Sequence, residues 1–75
     1  MTEDLTNILI FKTNISTFSD KLRLQKLFLE KGSVDEWNVD SEDVDCVLRV
    51  VSSAISAGEI IQLLSQAGFE CEELQ

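Results

Sequence analysis

Twice along this chain the apolar residues pass from the two-residue beat of a strand to the 3.6-residue beat of a helix and back, and that repetition limits its folds more than any other feature. The first pass opens with Ile8-Leu9-Ile10-Phe11, an unbroken apolar run inside LTNILIFKTNI (5–15). It is too short and too closely flanked by polar residues for a buried helix, and it reads as a central strand covered on both sides. Ser16-Thr17-Phe18-Ser19-Asp20 then supplies N-cap residue types, helix formers continue to Lys31, and Gly32 is a stop, so the spacing predicts a helix over 18–31. Val34, Trp37 and Val39 mark a second strand, and the step from Val34 to Trp37 breaks strict alternation as a bend or bulge would. Asp40-Ser41-Glu42-Asp43 turns the chain. Cys46, Leu48 and Val50 alternate with Asp45, Val47 and Arg49 as a third strand, forming a hairpin with the second.

The second pass is shorter. Ser56-Ala57-Gly58-Glu59 has capping-box spacing, and Ile60, Ile61, Leu63, Leu64 and Ala67 follow at helical intervals, predicting a helix over 57–67. Gly68 ends it, and Phe69 to Leu74 offers a short, strongly acidic last strand. The order β, α, β, β, α, β has its simplest compact solution in one four-stranded antiparallel sheet with both helices on a single face, which is the ferredoxin-like α+β sandwich. The other face is then left to solvent, which fits Asp45 and Arg49 alternating with the apolar set. At 75 residues the chain has room for one domain over 1–75. Its core gives a small stability margin, and two cysteines with no histidine leave association as the main remaining supplement.

Six Lys and Arg stand against fourteen Asp and Glu, a net charge of −8 that repels phosphate backbones and anionic lipid, so neither nucleic acid nor membrane is an expected partner. No apolar run approaches the roughly 20 residues of a membrane-spanning helix. Met1-Thr2-Glu3-Asp4 is acidic where a signal peptide is basic, so a cytoplasmic location is expected. With no histidine the common general base is missing, and neither cysteine sits beside a basic group or at a helix start, so no enzymatic activity is expected. Acylphosphatases share the architecture but need a phosphate-cradling loop with a positioned arginine, and the loop 14–20 has none. The acidic turn Asp40 to Asp45 lacks the glycine and the distant bidentate glutamate of a calcium loop. Glu70, Glu72 and Glu73 read as charge that discourages edge-to-edge pairing of the terminal strand.

Lys12-Thr13-Asn14-Ile15, the helix directly after it, Trp37-Asn38-Val39-Asp40, Leu48-Arg49-Val50 and Ala67-Gly68-Phe69 fall in an order and spacing that resembles the heavy-metal-associated domains over nearly the whole chain. Short copper-chaperone-like members are the nearest in pattern. The resemblance implies the ferredoxin-like fold and a metal site at the start of the first helix, where that family holds a soft ion between two thiolates three positions apart. With Ile15 aligned to the family's methionine, the two ligand positions fall on Thr17 and Asp20, a hydroxyl and a hard carboxylate that cannot replace two soft thiolates. The family's metal is therefore not expected here, and no cofactor is assigned. Cys46 and Cys71 fall on strands that flank the first strand on opposite sides, where alternate strands lie about 10 Å apart. That exceeds the roughly 7 Å reach of a disulfide. Both are read as small apolar residues on the core face.

The first helix carries Lys21, Arg23, Lys26 and Lys31, four of the six cations. At about 100° per residue Leu24, Leu27 and Phe28 can face the sheet, while Phe18, Leu22 and Leu29 fall to one side. These three, flanked by Lys21 and Lys26, are the candidate contact surface for an acidic partner protein or for a second copy of the chain. Trp37 is core in one register and an exposed anchor in the other. Two further readings stand beside this one: a weak, non-standard metal site around Thr17 and Asp20, and a dimer that senses a small ligand where two such sheets associate.

Overall fold

The computed structural model describes residues 7–32 and 34–74. Leu5 and Thr6, placed by the pattern at the start of the first strand, and the acidic stretch Met1 to Asp4 lie outside the described residues. Four strands and two helices follow in the expected order: β1 Asn7–Thr13, α1 Phe18–Lys31, β2 Glu36–Asp40, β3 Val47–Ser52, α2 Ala57–Gln66 and β4 Cys71–Glu73. The strands form one antiparallel sheet in the order β2-β3-β1-β4. Both helices bury their apolar residues against the same side of it. Leu24 and Phe28 of α1 and Ile60 and Leu64 of α2 join Phe11, Leu48 and Val50 in one cluster. This is the ferredoxin-like sandwich.

Local chemistry sets each boundary. Gly32, at φ 74°, takes the left-handed conformation at the end of α1 and donates its N–H to the Phe28 carbonyl at 2.9 Å. α2 ends one residue earlier than the pattern predicts, because a Schellman turn intervenes: Phe69 N–H reaches the Leu64 carbonyl at 2.9 Å and Gly68 N–H reaches Ser65 at 3.0 Å, with Gly68 at φ 90°. At the start of β2, Val51 has Glu36 as its ladder partner while its carbonyl accepts from Asp35 N–H at 2.9 Å. Two residues thus oppose one, the count of a β-bulge, which explains the broken alternation between Val34 and Trp37.

Three expectations are corrected. β1 is central in the sheet but covered on one face: Phe11 is fully buried while Ile8 is 66% exposed, since both helices lie on the same side. An unbroken apolar run can mimic a doubly covered strand because it contains no polar alternation to reveal the open face. Cys46 is not part of β3, which begins at Val47; it sits in the turn before it with a left-handed backbone, φ 44°. β4 is only three residues long, because Phe69 turns inward to become core and the ladder begins at Cys71. Leu74 N–H still reaches the Ile10 carbonyl at 2.8 Å.

Candidate functional site

The entrance to α1 is built from the β1–α1 connection. Thr13, buried at the end of β1, donates its hydroxyl to the Cys46 carbonyl at 2.7 Å and accepts the Ile15 N–H at 3.1 Å. Its own N–H goes to the Asp45 carbonyl at 3.0 Å. Asn14 Oδ1 accepts from Glu70 N–H at 2.9 Å, tying the connection to the chain entering β4. Ile15 is then fully buried, and the helix starts three residues later, at Phe18.

Thr17 and Asp20 face each other there as a capping box. The Thr17 hydroxyl accepts from Asp20 N–H at 3.0 Å, and Asp20 Oδ2 accepts from Thr17 and Ser16 N–H at 3.3 Å each. The Ser16 N–H above all, helped by the Thr17 hydroxyl and N–H, holds the Asp20 carboxyl below its ordinary 3.8, although burial opposes it more than either Thr17 contact assists. Both side chains present oxygen, and both are engaged in ending the helix. Among the described residues no group of three or more Cys, Asp and Glu side chains is gathered as a metal site.

Neither cysteine adds a ligand at that entrance. Both thiols are free and half-buried. Cys71 is the ladder partner of Thr13 and packs against the core, while Cys46 reaches the same Thr13 from the other side through its carbonyl. They therefore flank β1 as the strand order expects. Burial pushes the Cys71 thiol up to about 11, which keeps it protonated and unreactive near neutrality.

The outer face of α1 is the second candidate. Phe18 is 76% exposed, Leu29 73% and Leu22 45%, while Leu24 and Phe28 of the same helix are buried. Trp37 is resolved to the core side, half-buried and edge-on to Phe28 with ring centroids 5.5 Å apart. The basic residues divide in a way that the sequence pattern did not reveal. Arg23 donates to the Ala67 carbonyl at the end of α2 and lies over the Phe69 ring, 4.6 Å from its centroid. Lys31 pairs with Glu59 at the start of α2, 3.5 Å away. These two bridge the helices, and their partners lie 44 and 28 positions away, beyond the reach of any local spacing signal. Lys21 donates to the Ser41 hydroxyl at 3.2 Å. Lys26 makes no ion pair among the described residues.

On the open face of the sheet, Ile8, Glu36, Asn38, Arg49 and Val51 line a hollow of about 280 Å³. That falls just short of the roughly 300–1,000 Å³ of small-molecule sites, which also enclose most of their ligand. No helix among the described residues is long and apolar enough to cross a membrane.

A four-stranded antiparallel sheet with two helices on one face defines the class, a ferredoxin-like α+β domain. Within that class the chain is similar to a solved structure described as oxidized MerP from Ralstonia metallidurans CH34, with a TM-score of 0.76 over 93% of this chain and 99% of that one. The two share 14% sequence identity, so the likeness is one of fold. No protein-family model matches the chain, and no curated protein matches it by sequence.

Proposed function

We propose that this chain is a non-enzymatic domain of heavy-metal-associated type that has given up its thiolate metal site and serves as a protein-interaction module through the outer face of α1. The observation that carries the reading is the exposure of Phe18, Leu22 and Leu29 on a helix that buries Leu24 and Phe28 against the sheet. Exposed apolar side chains grouped on one face are what docking surfaces present, whereas scattered ones need no explanation. The entrance to the helix supports the other half of the reading. A soft monovalent ion needs thiolates, and Thr17 and Asp20 offer oxygen already spent on backbone N–H groups. No His is present, and the pKa of the half-buried Cys71 is raised rather than lowered, the opposite of an activated nucleophile.

Two measurements test it. Titration with monovalent copper and with zinc under reducing conditions, followed by amide shifts at residues 14–20, is expected to give no saturable change at stoichiometric metal. A tight one-to-one complex there would favour the weak-site alternative at Thr17 and Asp20. A photo-reactive side chain placed at Leu29 is expected to cross-link a protein in cells that make this chain, and the same group at Gln66 on α2 is not. Equal yields from both positions, or none from Leu29, would remove α1 as the working surface.

A further inference from the structure

Resting on α1 as the working surface, we infer that its occupant is an acidic amphipathic helix from another protein, laid along a seam formed by Phe18, Leu22, Gln25 and Leu29. The spacing of these four residues is 4, 3 and 4 positions, the interval at which one helix presents a continuous ridge to another. At about 100° per residue they fall within a sector of about 60° and extend about 17 Å along the axis. All four are exposed. A flat sheet or an extended segment has no row of side chains at that pitch, whereas a helix interdigitates with it.

Charge selects the kind of helix. Within α1 four cations face two carboxylates, and in the rest of the chain two cations face twelve. The seam is therefore the cationic strip of an acidic molecule. Lys21 borders it on one side and Lys26 on the other, each about 40° from the nearest seam residue. Lys26, without an ion pair among the described residues, is free to meet a carboxylate, and Lys21 holds only a neutral hydroxyl that a carboxylate can replace. A partner helix with apolar residues in its own seam and Glu or Asp beside them meets both lysines.

A second copy does not fit as well. The rows flanking the seam hold Ser19 and Lys26 on one side and Lys21 and Phe28 on the other, with no carboxylate among them. In a parallel pair the lysines would meet each other across both flanks, and any pair brings together two chains of charge −8.

The test uses the full chain and two synthetic helical peptides of the same length. One has leucines at 4-3-4 spacing flanked by glutamates; the other carries lysines in place of the glutamates. Amide shifts on adding the glutamate peptide are expected at residues 18–30, with affinity at least tenfold above that of the lysine peptide. Leu29→Glu, at an exposed position, should abolish binding while leaving the spectrum dispersed. Lys26→Glu should lower affinity for the glutamate peptide by at least threefold and raise it for the lysine peptide. Equal affinity for the two peptides overturns charge selection but leaves α1 as an interaction surface. Shifts at 18–30 that appear on concentrating the protein alone, with sedimentation as a dimer, assign the seam to a second copy and also overturn the inference. No shift at 18–30 from either peptide at millimolar concentration overturns it outright; whether α1 is a surface at all is then decided separately by the cross-linking from Leu29.

Discussion

Thr13 shows how much of this fold depends on one hydroxyl. It is a polar side chain buried among Phe11, Ile15 and the turn before β3, and its single oxygen both donates to the Cys46 carbonyl and accepts the Ile15 N–H. The carbonyl it holds belongs to a residue in the left-handed region, which costs an L-residue about 1 kcal/mol or more, so the hydroxyl fixes a backbone conformation that the chain would not otherwise prefer. Thr13→Val keeps the shape and the β-branch but leaves a buried donor and a buried acceptor without partners. It is expected to cost about 2–3 kcal/mol in urea denaturation, near the upper end for an unsatisfied buried group. A loss below about 0.5 kcal/mol would mean that water or a relaxed turn satisfies both groups. Nothing in the sequence singled out Thr13. A threonine at the end of a strand is ordinary, and the carbonyl it donates to lies in a turn 33 positions away.

At the scale of elements, α1 separates packing from surface. Phe28 is buried and edge-on to Trp37, so Phe28→Ala opens a cavity and is expected to cost about 3–5 kcal/mol, enough to unfold most of a domain this small. Leu29, its neighbour, is exposed, and Leu29→Gln should change stability by no more than about 0.5 kcal/mol. Thermal melts of the two variants check the contrast, and comparable losses would mean that Leu29 is covered. The same helix shows what could be read in advance. Its limits, Phe18 and Lys31 with Gly32 beyond, and the division of Leu24 and Phe28 from Phe18, Leu22 and Leu29 follow from local chemistry and 3.6-residue periodicity, and the structure has them there. The bulge before β2 announced itself through one misplaced apolar step. What could not be read depends on tertiary choice: which face of β1 is covered, where β3 begins when Cys46 continues its alternation, and which carbonyl or carboxylate each cation of α1 would find. The caps carry a further prediction. Glu59 repeats at α2 what Asp20 does at α1, with the Ser56 N–H as the main cause of its lowering below 4.5. Carboxyls held low in the folded chain stabilise it fully above their ordinary values, 3.8 and 4.5, and lose that contribution as pH falls through the lowered ones. Between pH 6 and pH 3 the urea midpoint of the wild type should therefore fall further than that of Asp20→Asn/Glu59→Gln, whose caps do not titrate. Identical slopes would show that the caps contribute through hydrogen bonds alone.

For the molecule as a whole, the same charge distribution that marks α1 opposes folding. Among the described residues outside that helix, ten carboxylates are drawn into a compact domain with only Lys12 and Arg49 among them. The ion pairs available among the described residues, Lys12 with Asp45 at 3.8 Å and Lys31 with Glu59 at 3.5 Å, are exposed and offset little of this, since such pairs are worth about 0–1 kcal/mol each. Attraction between the cationic helix and the acidic remainder works the other way. It operates through four cations, of which Arg23 and Lys31 sit beside α2, whose only charged residue is Glu59. Repulsion among the carboxylates of the loops and sheet edges is thus the larger sum, and salt should relieve it, because the screening length shrinks from about 30 Å at 0.01 M to about 3 Å at 1 M. The melting temperature is expected to rise by about 5 °C between 10 mM and 500 mM sodium chloride, roughly what 1 kcal/mol is worth in a domain of this size. Lys26→Glu, which weakens the attraction and adds to the repulsion, should melt lower at 10 mM salt and converge on the wild type at 500 mM. A wild-type melting point that falls as salt is added would reverse the order of the two sums and make the cationic helix the electrostatic anchor of the fold.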